Sequence, residues 1–146
     1  MGALSPRGGR GHNGAMDRIL LVAAGGALGS VARYLAGVGV LRAVGLRAGF
    51  GTANGTFAVN IIGGLLMGLL AGWLAFRGGA DQERWRVLLG VGFLGGFTTF
   101  SSFSLEVVLM VERREYLQAA AYIGLSVLLA AAALFGGLVL ARRVFA

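Results

Sequence analysis

The sequence predicts an all-α integral membrane protein with four transmembrane helices in each subunit. Three observations predict it. Hydrophobic residues make up 57% of the 146, charged residues only 13%, and the mean hydropathy is +0.80. The length accommodates about four spans of ~20 residues with short loops between them, and no soluble domain beside them. Glycine supplies 27 residues against one proline and no collagen-like repeat, a composition suited to helices that pack closely in lipid.

Each element follows from the hydropathy pattern. Residues 1–15 are rich in Gly and Arg and hold Pro6 and His12. They form an expected disordered leader without the apolar core of a signal peptide. Met16 is an alternative start, and 16–146 form the single four-helix domain. The first span is 19–41, apolar except for Arg33 well inside it. A loop, 42–51, leads to the second span, 52–76, which contains Asn60. A short charged loop, 77–86, precedes the third span, 87–111. The charged turn 112–115 leads to the fourth span, 116–140.

Several function classes drop out. There is no cysteine, hence no disulfide framework and no thiolate metal site. The one histidine lies in the leader, so no buried His triad or His cluster is available. An enzyme is therefore not expected. All 13 basic side chains are arginines, scattered between apolar blocks. That reads as flanks of membrane spans, with a lipid bilayer and not nucleic acid as the partner. Omitting the leader, Arg18, Arg77, Arg84, Arg86, Arg142 and Arg143 fall on one side. Arg42, Arg47, Arg113 and Arg114 fall on the other. Six against four is a weak positive-inside signal. It suits either a modestly biased N-in, C-in chain or one that inserts both ways.

Gly64, Gly68 and Gly72 recur every four residues, and Gly25/Gly29 and Gly92/Gly96 repeat the spacing. Each set lines one helix face and lets a neighbouring backbone approach. The stretch Gly95-Gly96-Phe97-Thr98-Thr99-Phe100-Ser101-Ser102-Phe103-Ser104 is the most informative. Two glycines weaken the helix by about 1 kcal/mol each relative to alanine. The nearby hydroxyls can bond freed backbone groups, which predicts a third helix broken in mid-membrane. Such a break survives only inside protein or beside a wet cavity, and its freed carbonyls can ligate a cation. A continuous helix with Ser and Thr bonded to the preceding turn is the alternative.

Phe100 and Phe103 share a helix face. Their ring edges carry positive partial charge, so they can line a small anion's path as well as simply pack. Asn60, with Thr56 one turn before it, offers amide donors to a pathway or to an interhelical hydrogen bond. Tyr122 and Ser126 form a similar stripe on the fourth span. Arg33 and Glu106 are costly in lipid unless they reach water or a partner, as a mutual pair or as the lining of a vestibule.

At these residues the chain resembles the CrcB/Fluc family of fluoride channels. Gly95 to Glu106 is similar to the family's third-helix signature, and Gly55-Thr56-Phe57-Ala58-Val59-Asn60 to its second-helix signature. Gly26-Ala27 followed by Arg33 is similar to its first-helix motif. The resemblance implies an antiparallel, dual-topology homodimer with two fluoride pores. Phe100 and Phe103 would be the aromatic lining, Asn60 the polar pore residue, and Tyr122 and Ser126 part of a fourth-helix polar track. Gly95 and Thr98 would offer backbone carbonyls to a structural Na⁺ at the dimer centre, and Arg33 would lie near a vestibule. Ala130 stands where some relatives continue the hydroxyl track, and the 42–51 loop is long and reads as peripheral. The implied function is passive export of toxic fluoride across a bacterial-type inner membrane. The membrane potential drives it at ~2.3 kcal/mol per charge per 100 mV. The rivals are a small dual-topology proton-coupled exporter, for which only Glu106 offers a carboxylate near a span, and a non-transporting membrane assembly protein.

Overall fold

The structure is a computed structural model and describes residues 10–46, 49–77 and 79–146. Among the described residues the secondary structure is entirely helical. Six α-helices follow in order: α1 (Arg10–Val44), α2 (Asn54–Arg77), α3 (Gln82–Trp85), α4 (Gly95–Phe97), α5 (Phe100–Glu112) and α6 (Tyr116–Phe145). A nine-residue π-helix, Arg86–Leu94, joins α3 to α4. Four helical segments are long and apolar enough to cross a membrane: Gly14–Val44, Gly51–Arg77, Gly79–Glu112 and Tyr116–Phe145.

The boundaries differ from expectation in informative ways. α1 begins at Arg10, so part of the expected leader is helical; residues 1–9, like Arg47, lie outside the described residues. At 1.5 Å per residue the 35-residue α1 is about 52 Å long and the 30-residue α6 about 45 Å. Both exceed a hydrocarbon core of about 30 Å. The expected 77–86 loop is mostly helical, through a 3₁₀ turn at Gly79–Asp81 and α3. The 112–115 turn is tight, as its charges suggested. Glu115 N–H donates to the Met110 carbonyl at 2.9 Å and Arg114 N–H to that of Val111 at 2.9 Å. This is a Schellman closure, with Arg114 in the left-handed position at φ 61°.

The glycine repeats are contact faces. Gly64, Gly68 and Gly72 pack α2 against the backbone of Ala130 and Leu134 and against Ala141 on α6. Gly25 and Gly26 on α1 face Gly92 and Gly96, which brings α1 onto the π-helix and α4. A methyl group at Gly68 would fall on the Leu134 carbonyl. Gly68→Ala should therefore force α2 and α6 apart and cost about 1–3 kcal/mol, the usual range for overpacking. The check is the thermal midpoint of the detergent-solubilised protein; an unchanged midpoint would show that this contact is loose.

α4 ends at Phe97, and Thr98 N–H makes the last helical bond, to the Leu94 carbonyl at 3.0 Å. Thr98 (φ −85°, ψ 158°) and Thr99 (φ −150°, ψ 124°) are extended, and α5 starts at Phe100. The interruption thus begins two residues beyond Gly96, and both Gly95 and Gly96 stay helical in α4. The Thr98 side chain donates to the Leu94 carbonyl at 2.9 Å and closes the last turn of α4. Thr99 is the N-cap of α5, its Oγ1 accepting from Ser102 N–H at 3.2 Å, the role hydroxyl residues fill at helix starts.

Candidate functional site

The interruption is splinted from α2. The Asn60 Nδ2 donates to the Thr99 carbonyl at 3.1 Å, and Thr99 N–H donates to the Asn60 Oδ1 at 2.9 Å. One amide thus satisfies both backbone groups of Thr99, and Asn60 keeps one further N–H. The carbonyls of the last turn before the interruption lose their helical donors, as at any helix end, and two of the lost donors have named partners elsewhere. The i+4 donor of Gly95 would be Thr99 N–H, which goes to Asn60. That of Thr98 would be Ser102 N–H, which goes to Thr99 Oγ1.

Beside this splint lies an open groove of about 410 Å³. Asn60, Thr98, Thr99, Phe100, Phe103 and Ser126 contribute its polar and aromatic lining, and Gly63, Gly64 and Ala130 its small residues. The Phe100 and Phe103 rings are 5.6 Å apart. Phe100 is 79% exposed on the isolated chain. The buried Ser126 Oγ has no hydrogen-bond partner. Past Ser126 the α6 side of the groove is Val127, Ala130, Ala131 and Leu134, so hydroxyls end there.

Two turns along α5, a carboxylate joins three helices. Glu106 accepts from Thr56 Oγ1 at 2.7 Å and from Tyr122 OH at 2.6 Å. Tyr122 is fully buried. Its ring lies 5.2 Å from Phe103, 4.9 Å from Phe50 and 6.2 Å from Phe57. Glu106 also lines a second, largely polar cavity of about 300 Å³ at the α5–α6 end. Phe103 and Tyr122 therefore stand between groove and end cavity. Tyr122→Phe would remove one donor from Glu106 and should lower stability by about 1–3 kcal/mol, the cost of a buried polar group left short of a partner. A thermal midpoint equal to wild type would show that water replaces the hydroxyl.

The sequence-derived residues thus fall into two groups. Asn60, Thr98, Phe100, Phe103 and Ser126 meet at the groove. Thr56, Tyr122 and Glu106 meet at the carboxylate. Arg33 joins neither. It is half-buried on α1, without a hydrogen bond or ion pair among the described residues, so of the two alternatives for these charges the mutual Arg33–Glu106 pair is not formed. Sequence reasoning missed Phe50. It placed the 42–51 loop at the periphery, whereas Phe50 packs on Tyr122 and Phe57. Phe97, by contrast, stacks on Phe93 at 6.1 Å with the planes 6° apart.

A family model described as "CrcB-like protein, Camphor Resistance (CrcB)" matches residues 20–138. The chain belongs to the CrcB family. It is 65% identical over 130 residues to a protein of Caulobacter sp. (strain K31) named fluoride-specific ion channel FluC, covering 89% of this chain and 98% of the relative. Relatives of the same name in Phenylobacterium zucineum and Caulobacter vibrioides (strain NA1000 / CB15N) are 68% and 63% identical over 131 residues, with 90% of this chain and 100% of each relative covered. Family membership and four apolar helices together make this a multi-pass membrane protein.

Proposed function

We propose that this CrcB-family chain is a passive, fluoride-selective channel that lets fluoride leave the cytoplasm across the inner membrane. The observation that carries the reading is its 63–68% identity, over about 90% of its length, to proteins named fluoride-specific ion channels. The groove gives that reading a place. Asn60 retains an N–H donor, the phenyl edges of Phe100 and Phe103 are weakly electropositive, and Ser126 Oγ is unpartnered. Donors of that sign can replace part of the water shell a small anion sheds in a narrow site. No fixed cation of the described residues lines the groove to trap it.

The working unit in this reading is an antiparallel, dual-topology homodimer. The weak arginine asymmetry and the open groove with its exposed Phe100 support it. The Thr98–Thr99 interruption then lies at membrane depth, where unpaired backbone must be covered by protein. Gly95 and Thr98 are compatible with the role of Na⁺ ligands that the resemblance gives them, since their carbonyls are among those left without helical donors at the end of α4. Bound there, the ion would supply a fixed positive charge to the interruption. With no carboxylate in that stretch, a monovalent ion suits it better than Ca²⁺.

The test is fluoride efflux from proteoliposomes under a K⁺ gradient with valinomycin. Rapid fluoride release, with chloride retained, is expected. No release above protein-free vesicles would overturn the reading.

A further inference from the structure

We propose that Gly63 is a positioning residue of the pathway: the space left by its missing side chain seats the Thr98 methyl, and so keeps the extended Thr98–Thr99 backbone where Asn60 reaches it. The inference rests on the fluoride-channel reading and adds to it a residue beyond the second-helix signature.

Gly63 and Gly64 are neighbours with different tasks. A Cβ at Gly64 would lie 2.6 Å from the Ala130 carbonyl oxygen, so that glycine belongs to the contact face with α6. A Cβ at Gly63 would instead fall on the Thr98 Cγ2. Its next neighbour, the Phe97 Cδ1, would be 3.5 Å away, an ordinary contact. The obstacle at this position is therefore one methyl group. Gly63 is buried, and it lies three residues after Asn60, on the same face of α2. That face meets the interruption twice. Asn60 holds Thr99 by two hydrogen bonds, and Gly63 makes room for Thr98.

The methyl cannot simply turn away. Thr98 N–H and Thr98 Oγ1 both donate to the Leu94 carbonyl, at 3.0 and 2.9 Å. With the hydroxyl committed to Leu94, the tetrahedral Cβ leaves the methyl a single staggered direction. An alanine at position 63 can be admitted in two ways. Thr98 rotates and gives up its hydroxyl bond, or α2 and the Thr98–Thr99 backbone move apart. The first loosens the closure of α4, and the second stretches the Asn60–Thr99 bonds from their present 3.1 and 2.9 Å. Both disturb the groove, because Asn60, Gly63, Thr98 and Thr99 line it together. An Asn60 amide drawn off Thr99 no longer aims its remaining N–H as it does now.

The test is a double-mutant cycle between the two positions. Thr98→Ser removes the methyl and keeps a hydroxyl for Leu94. Gly63→Ala should lower fluoride flux per folded protein at least tenfold in the threonine background. In the serine background it should cost less than threefold, whatever the flux of Thr98→Ser itself. Thr98→Val keeps a methyl there and should give no such relief. Thermal midpoints of the same proteins should follow the same pattern, and they carry the test where a background passes no measurable fluoride. If Gly63→Ala alone does not fold, recovery of folding by Thr98→Ser supports the proposal, and failure to fold in both backgrounds overturns it. An equal loss with threonine and serine also overturns it, because the added methyl would then act on the groove itself. So does wild-type flux in Gly63→Ala, or relief by valine as complete as by serine. Wild-type vesicles that release no fluoride would defeat the channel reading instead, and the midpoint cycle would still decide whether Gly63 seats Thr98.

Discussion

Asn60→Asp should lower fluoride flux at least a hundredfold, roughly 2.7 kcal/mol of barrier. The change keeps the acceptor for Thr99 N–H but replaces the Nδ2 donor with an oxygen. That oxygen would face the Thr99 carbonyl, which now lies 3.1 Å from the nitrogen. Two acceptors at such a distance repel, and the carboxylate also sets a negative charge beside an anion's path. Protonation relieves both problems, so the residual flux should recover as the pH is lowered toward the carboxylate's titration range. Efflux measured against pH checks this. Flux within threefold of wild type at neutral pH would show that Asn60 faces neither the ion nor a rigid Thr99.

Phe103→Ile should lower flux at least tenfold, roughly 1.4 kcal/mol. Isoleucine retains much of the bulk but has no ring quadrupole. It also loses the ring pairings with Phe100 at 5.6 Å and Tyr122 at 5.2 Å, the two that join groove to carboxylate. Phe97→Ile is the comparison, since that ring is buried against Phe93 and lines neither cavity. It should lower the thermal midpoint and leave the flux per folded protein within threefold. Equal flux in wild type and Phe103→Ile would mean that the ring only fills space.

Most of the helical architecture was legible in the sequence because hydropathy is a one-dimensional property. The four apolar segments and the glycine faces could be read from spacing alone, since a repeat of four fixes a helix face whatever the fold. The π-helix was not legible: an i+5 bond pattern leaves no mark on an apolar run such as Val87 to Leu94. Gly95 and Gly96 were read as the point of interruption on intrinsic propensity, but Gly96 is held against Gly26 and remains helical. The hydroxyl residues after them decide the position, because the Thr99 side chain accepts from Ser102 N–H at the start of the new helix and glycine has no side-chain acceptor. The functional residues could be nominated but not grouped. Thr56 and Glu106 are 50 residues apart, and nothing local says that Glu106 takes Thr56 and Tyr122 as partners and leaves Arg33 aside. Phe50 escaped notice because a loop has no period from which to read a buried face.

The two-sided bond between Asn60 and Thr99 also bears on how the protein is made. A third segment inserted by itself would have to remain an unbroken helix, since an extended Thr99 in lipid leaves a donor and an acceptor unpaired at several kcal/mol each. Its final shape becomes affordable only beside α2, which carries the amide. Asn60 precedes Thr99 in the chain, so during synthesis the ribosome releases the splint into the bilayer before the segment that must bend around it.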